Sequence, residues 1–329
     1  ADCVPPPETC NGVDDDCDTV IDEGCDPLVW VANSALNAVQ VVDPAVGGGV
    51  VATIPVGTNP LRLVFTPDGR ELYVPNQGAD TVSVVDTVTR VVTATIVVGP
   101  GPRSMAATPD GARVYVACTG GQTVSVIGTA THAVVDTLDT GLAARVLAVA
   151  IRPGGSQLWT ANDGYLRVFS LPAHTVVYTS GWTDGFVASR AQFLPDGSVF
   201  WASSGCGCCG NVQRYSGTTY AQLSDRRWGS PSTGLAISPD GSAAYGGYWG
   251  ALGGCSGPVT LVRMNGATGT VALSAPLPKP WGGAVVSPDG ATLYLASHDD
   301  GLSVVDASTL ALLRTFALGG MAEDVALPP

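Results

Sequence analysis

Residues Gly57 to Gly99, GTNPLRLVFTPDGRELYVPNQGADTVSVVDTVTRVVTATIVVG, hold one complete unit of a repeating architecture. An apolar stretch runs into Pro67-Asp68-Gly69, a hairpin signal: proline presets φ, aspartate bonds nearby backbone and glycine accepts φ > 0. An aromatic-centred strand follows at Leu72-Tyr73-Val74, then the alternating Val82-Ser83-Val84-Val85-Asp86, then Val91 to Ile96. Apolar residues at period two, punctuated by turn residues, predict four short strands.

The unit recurs. Pro-Asp-Gly returns at Pro109, Pro195, Pro239 and Pro288, with a Pro153-Gly154-Gly155 variant, so successive prolines are 42, 44, 42, 44 and 49 residues apart. Each turn is followed by an aromatic-centred strand: Val114-Tyr115-Val116, Leu158-Trp159-Thr160, Val199-Phe200-Trp201, Ala244-Tyr245-Gly246 and Leu293-Tyr294-Leu295. A seventh copy, Val29-Trp30-Val31, stands near the start without a turn before it. Four strands per period of this length are the mark of propeller blades.

The ends of the chain carry the fold further. The first unit lacks its leading strand, whereas Met321 to Leu327 is a leading strand with nothing after it. Joined, they make one blade, and a ring so closed has no open sheet edge at its seam. An open solenoid could use the same turn chemistry but would not need complementary ends. The expectation is an all-β, seven-bladed propeller over residues 28–329, four strands to a blade, closed by the C-terminal strand and preceded by a small module over residues 1–27.

The pattern Gly-x-x-Pro, apolar strand, Pro-Asp-Gly, Leu-Tyr-Val, Val-Ser-Val-Val-Asp resembles the YVTN-type propeller repeat of bacterial and archaeal surface-layer and cell-surface proteins. The resemblance covers residues 28 to 327 and implies the fold. It says less about function, because related propellers serve as surface proteins, redox-cofactor carriers and lyase or lactonase scaffolds.

The chain is only 13% charged, and its net charge of −13 repels phosphate backbones and anionic membranes, so nucleic acid is not an expected partner. No apolar run is long enough to span a bilayer as a helix. No signal sequence precedes Ala1: either the chain begins after cleavage of one, or it was never exported. Nine cysteines favour export to the cell surface or the extracellular space, with the periplasm as the other oxidising destination.

Four of those cysteines, Cys3, Cys10, Cys17 and Cys25, crowd a segment with little apolar material, which needs covalent or metal staples to hold a shape. Between them, Asp14, Asp16, Asp18 and Asp22 take positions 1, 3, 5 and 9 of an EF-hand-like loop, with Glu23 the nearest bidentate candidate. Convergent oxygens suit calcium, although Thr19 stands where that loop has glycine and Cys25 where it has glutamate. The run from Glu8 to Cys25 also resembles the metal-binding motif, of MopE-related type, found on many secreted bacterial proteins. That resemblance implies a disulfide-stapled cation site with the four aspartates as ligands. The alternative is an acidic, solvated tail. Docked on its own propeller the module would be a cap; docked on a neighbour it would make the protein a homopolymer.

In the propeller, Cys118, Cys206, Cys208, Cys209 and Cys255 are placed in loops after the second strand of a blade, on one face. Cys206, Cys208, Cys209 and Cys255 can form two disulfides stapling long glycine-rich loops, a copper or zinc site, or a vicinal Cys208–Cys209 bridge. Cys118 is left over as a buried thiol or an intermolecular link. His298 enters the same face beside Asp299 and Asp300, while His132 and His174 are expected in solvated outer turns.

Aromatic and basic residues gather before the inner strands: Arg62, Arg103, Arg145, Trp182, Arg190, Arg226, Arg227, Trp228 and Trp281. They either close the blade tops or build a cationic, aromatic-rimmed mouth over the channel, suited to an anionic ligand or a glycan. No Ser-His-Asp elbow, phosphate loop, haem attachment motif or zinc-hydrolase helix is present, which lowers the enzyme reading without excluding it. The expected function is a non-enzymatic surface or extracellular protein that binds other surface components or its own copies. The alternatives are a metal, redox or catalytic protein, or a carbohydrate-binding propeller.

Overall fold

The computed structural model describes residues 27–45, 48–180, 188–206, 209–227, 232–249, 259–277, 281–297 and 301–329. Among these, each repeat forms a four-stranded antiparallel sheet, and seven such sheets are the blades of a propeller. Blade 2 runs outwards from the channel through Val64–Phe65, Glu71–Asn76, Thr81–Asp86 and Val91–Val97. The inner strands of blades 3 to 7 are Pro102–Ala107, Val146–Ile151, Ala188–Phe193, Ser232–Ile237 and Trp281–Val286. Residues 1–26 lie outside the described residues, and with them Cys3, Cys10, Cys17, Cys25 and the aspartates and Glu23 expected to bind calcium.

Blade 1 is made from both ends of the chain. Its inner strand is Ala322–Ala326, paired antiparallel with Val29–Asn33 so that Val31 faces Val325. Packing confirms the seam. A Cβ on Gly111 would touch Pro67 Cδ at 3.5 Å, the turn proline of the preceding blade, and one on Gly69 would touch Pro329 Cδ at 3.4 Å. Pro329 therefore occupies the turn-proline place of blade 1.

The turns behave as their residue types require. Gly69 has φ 70°, its N–H donates to Thr66 O at 2.9 Å, and Asp68 Oδ1 accepts from Thr66 Oγ1 at 2.6 Å. Hydrophobic clusters fill every gap between neighbouring blades: Trp30 and Val41 of blade 1 meet Leu72 and Val74 of blade 2, and so on round to Tyr294 and Leu302 of blade 7 against Val29 and Val325. The aromatic strand centres Tyr73, Tyr115, Trp159, Phe200, Tyr245 and Tyr294 are all buried, each worth on the order of 2 kcal/mol in apolar surface removed from water.

A second device links the blades. In the turn between third and outer strands, Arg90, His132, His174, Tyr220 and Leu310 all have positive φ. The aspartate that ends the third strand caps this turn: Asp86 Oδ1 accepts from Thr89 N at 2.6 Å, and Asp306 Oδ1 from Thr309 N at 2.7 Å. Three of the side chains so aimed reach the previous blade. His132 Nε2 stands 2.8 Å from Glu71 Oε1, and Tyr220 OH accepts from Gln157 Nε2 at 2.8 Å. His174 stands between Asp136 (2.8 Å) and Tyr115 (3.0 Å), its side chain only 14% exposed, so it is a largely covered latch and not the solvated residue expected. His132 is likewise bonded and partly covered.

The cysteines also differ from expectation. The second and third strands of blade 5, Val199–Cys206 and Cys209–Ser216, continue in register until Cys206 and Cys209 face each other, leaving residues 207–208 between them instead of a long loop. Cys118 ends the second strand of blade 3 as a free, fully buried thiol whose pKa burial pushes up. Its Sγ lies 3.5 Å from Ser125 Oγ, so it is packed away from any intermolecular partner.

Candidate functional site

The inner strands all begin on one face of the ring, and four of the first five blades of the chain's own order bring an arginine there. Arg62 precedes the inner strand of blade 2, Arg103 lies at the start of that of blade 3, Arg145 just precedes that of blade 4 and Arg190 lies in that of blade 5. Their charges interact across the channel mouth. Burial, with repulsion from Arg190 and Arg103 partly offset by Asp324, holds the Arg62 guanidinium well below its usual pKa. Arg103 is lowered in the same way, by burial first and then by Arg145 and Arg190, against the attraction of Asp163 and Glu323. Both stay cationic, because arginine does not lose its proton in proteins.

Two of the four arginines are matched. Arg145 Nε donates to Asp163 Oδ2 at 2.6 Å in an exposed pair, which raises its pKa. Arg190 donates to Asp324 Oδ1 in a buried pair, with Nε donating to Gly282 O at 3.1 Å. Asp324 Oδ2 accepts from Leu63 N at 2.9 Å. This network joins blades 5, 7, 1 and 2 across the axis and forms the floor of the mouth. Arg62 and Arg103 have no hydrogen bond or contact ion pair among the described residues.

Beyond the floor, towards the Pro-Asp-Gly face, the channel widens into two cavities of about 370 and 360 Å3. Ala107 and Gln192 line both; Phe65, Arg190 and Asp324 complete the mixed wall of the first, and Val149, Phe193 and Ile237 the more apolar wall of the second.

The mouth thus unites Arg62, Arg103, Arg145 and Arg190, four of the residues singled out in the sequence. Trp281 opens the inner strand of blade 7, while Trp182, Trp228 and His298 lie outside the described residues, as do Cys208 and Cys255. Among the described residues, no group of three or more His, Cys, Asp or Glu side chains could hold a metal ion. Asp324 and Gly283 were not anticipated, although a signal existed. Arg62, Ser104, Ala148, Arg190, Gly234, Gly283 and Asp324 each stand five residues before the turn proline of their blade, counting Pro329 for the last. Aligning on that proline reveals a ring position that holds charge in three blades and small residues in four.

Fold and site together define a seven-bladed propeller with an arginine-bearing channel mouth. The family model described as Lactonase, 7-bladed beta-propeller matches residues 32–173, less than half of the chain. No curated protein matches it. Among solved structures, Kuenenia stuttgartiensis hydrazine synthase superposes with a TM-score of 0.72 at 20% identity, over 83% of this chain and 92% of that one. A functionally unknown protein from Desulfotomaculum acetoxidans DSM 771 gives 0.74 at 14% identity, over 92% and 98%. The dihydro-heme d1 dehydrogenase NirN, in complex with DHE, gives 0.65 at 18% identity, over 92% and 75%. At these identities the likeness is one of fold.

Proposed function

We propose that the protein is an extracellular binding module that captures an anionic ligand, free or carried on a glycan, at the mouth of its channel. The observation behind this is the pair Arg62 and Arg103: drawn out of bulk water beside other arginines, they lack the carboxylates that Arg145 and Arg190 possess. In a chain with 28 Asp and Glu against 15 Lys and Arg, carboxylates are plentiful, so two partly desolvated guanidiniums without one form a site that an outside anion completes. Charge-assisted bonds to an oxyanion would recover the hydration these groups have lost.

Export and a calcium-stapled segment over residues 1–27, with Asp14, Asp16, Asp18, Asp22 and Glu23 around the ion, belong to the same proposal, supported by the cysteine count and the aspartate spacing. The segment would attach the propeller to surface components or to further copies of itself. An enzymatic or redox role is the second reading. Its support is that hydrazine synthase and dihydro-heme d1 dehydrogenase are built on this fold.

The test is a thermal melt in sodium sulfate and in sodium chloride at equal ionic strength, for the native protein and for the double variant R62A/R103A. Sulfate stabilises proteins generally, so the informative quantity is the difference between them. A ligand at about 100 times its Kd adds roughly 2.7 kcal/mol. The native protein is expected to gain more from sulfate than the variant does; equal gains would refute capture at this mouth.

A further inference from the structure

We propose that Asp324 sets the charge of the ligand this mouth accepts, and that the ligand is a doubly charged oxyanion. The inference rests on the anion-capture proposal and deepens it. Counting by contact, Arg145 is neutralised by Asp163 and Arg190 by Asp324. Glu323 acts on Arg103 only at a distance and accepts from Ser34 Oγ at 2.7 Å. Two guanidiniums, Arg62 and Arg103, are left for the ligand, one on each of two neighbouring blades.

The hydrogen bonds of Asp324 are all made to the floor, and only its field reaches Arg62. Its two oxygens are spent on Arg190 and on the backbone N–H of Leu63, the residue next to Arg62. Its side chain is 5% exposed and that of Arg190 11%. Gly283 makes this possible, because a Cβ there would meet Asp324 Oδ1 inside van der Waals contact and Arg190 Nη2 at 2.7 Å. Were Asp324 absent, Arg190 would be released as a third cation facing the mouth. The carboxylate therefore serves as a built-in anion that takes one arginine out of recognition and leaves a site for two negative charges. A tetrahedral sulfate or phosphate ester and a compact dicarboxylate share this chemistry.

The experiment is isothermal titration of the full chain at constant ionic strength with acetate, sulfate, succinate and citrate, which carry one, two, two and three charges. The native protein is expected to bind sulfate or succinate at least roughly tenfold tighter than acetate, with citrate no tighter than the better dianion. Sulfate over succinate would indicate an ester-type ligand, and the reverse a dicarboxylate. In D324N the preference is expected to move to citrate. In R190M/D324L, which removes both charges and keeps an apolar floor, it is expected to remain with the dianions, and this variant serves also where D324N does not fold. Dianions bound no tighter than acetate by the native protein, or a citrate preference in R190M/D324L, would overturn charge setting and leave anion capture standing. Absence of binding to all four anions would overturn both.

Discussion

Arg190 and Asp324 belong to blades that are not neighbours, yet their side chains meet at the axis of the ring in a buried ion pair. Few propeller contacts cross the channel, since most packing runs between adjacent blades. This one ties the closing strand Ala322–Ala326 to the inner strand of blade 5, and through Leu63 N to blade 2.

Breaking the pair from one side leaves a charge with no partner in a desolvated place. For D324A, which also orphans Leu63 N–H, a loss of about 3–5 kcal/mol is expected, measured by urea unfolding. R190M/D324L should recover part of it, because two apolar side chains avoid the desolvation of two ions while Leu63 N–H stays unpaired. A double variant as unstable as D324A would mean that the geometry of the pair, and not its charge balance, supports the ring.

The seam predicts a larger failure. Removing residues 321–329 strips blade 1 of its inner strand, exposes the edge of Val29–Asn33 and opens the cluster of Val29, Val31 and Leu302. An open ring with a bare hydrophobic edge is prone to pair with another chain. The truncated protein is expected to lose its cooperative thermal transition and to elute as aggregate in size-exclusion chromatography. A monomeric, cooperatively melting truncation would show that closure contributes little.

The interblade latches differ in depth. His174 satisfies Asp136 and Tyr115 together with its proton on Nδ1, in a place where its side chain is 14% exposed, whereas His132 bonds Glu71 at 32% exposure. H174A should therefore cost about 1–3 kcal/mol, having left a Tyr115 hydroxyl without its acceptor. H132A should cost under about 1 kcal/mol, as exposed pairs do. Chemical denaturation of the two variants side by side checks the order.

Much of the architecture was readable from residue types whose effects are local. Pro67-Asp68-Gly69 turns because of the backbone those three residues favour, and Val82 to Asp86 alternates because a strand has two faces. The seam was readable because the missing and surplus strands complement each other. What escaped depended on contacts remote in sequence. His174 looks like any polar turn residue until Tyr115, 59 positions earlier, is brought beside it by blade packing. Cys206 and Cys209 read as loop residues because glycine around them hides two strands running on in register. Arg62 and Arg103 were found by their charge. Asp324 was not, because it belongs to the ring only when Pro329 is recognised as a turn proline without its glycine.

Acid sensitivity should follow from the turns. Asp68, Asp110, Asp196 and Asp289 are held below the ordinary carboxylate value by hydrogen bonds from the hydroxyls and N–H groups around them. Asp240, bonded first by Ser238, and Asp306, bonded first by Ser308, are lowered to about 2. A group whose folded pKa lies below its unfolded one contributes fully above the unfolded value, here 3.8, and loses that contribution as pH falls through the folded one. The melting temperature should thus be insensitive to these groups from neutral pH to about 5, then fall steadily towards pH 2 as each turn must take up a proton in order to unfold its hydrogen bonds. D240N/D306N should start lower at neutral pH and descend less steeply between pH 4 and 2. Parallel descents would locate the acid-sensitive carboxylates outside these two turns.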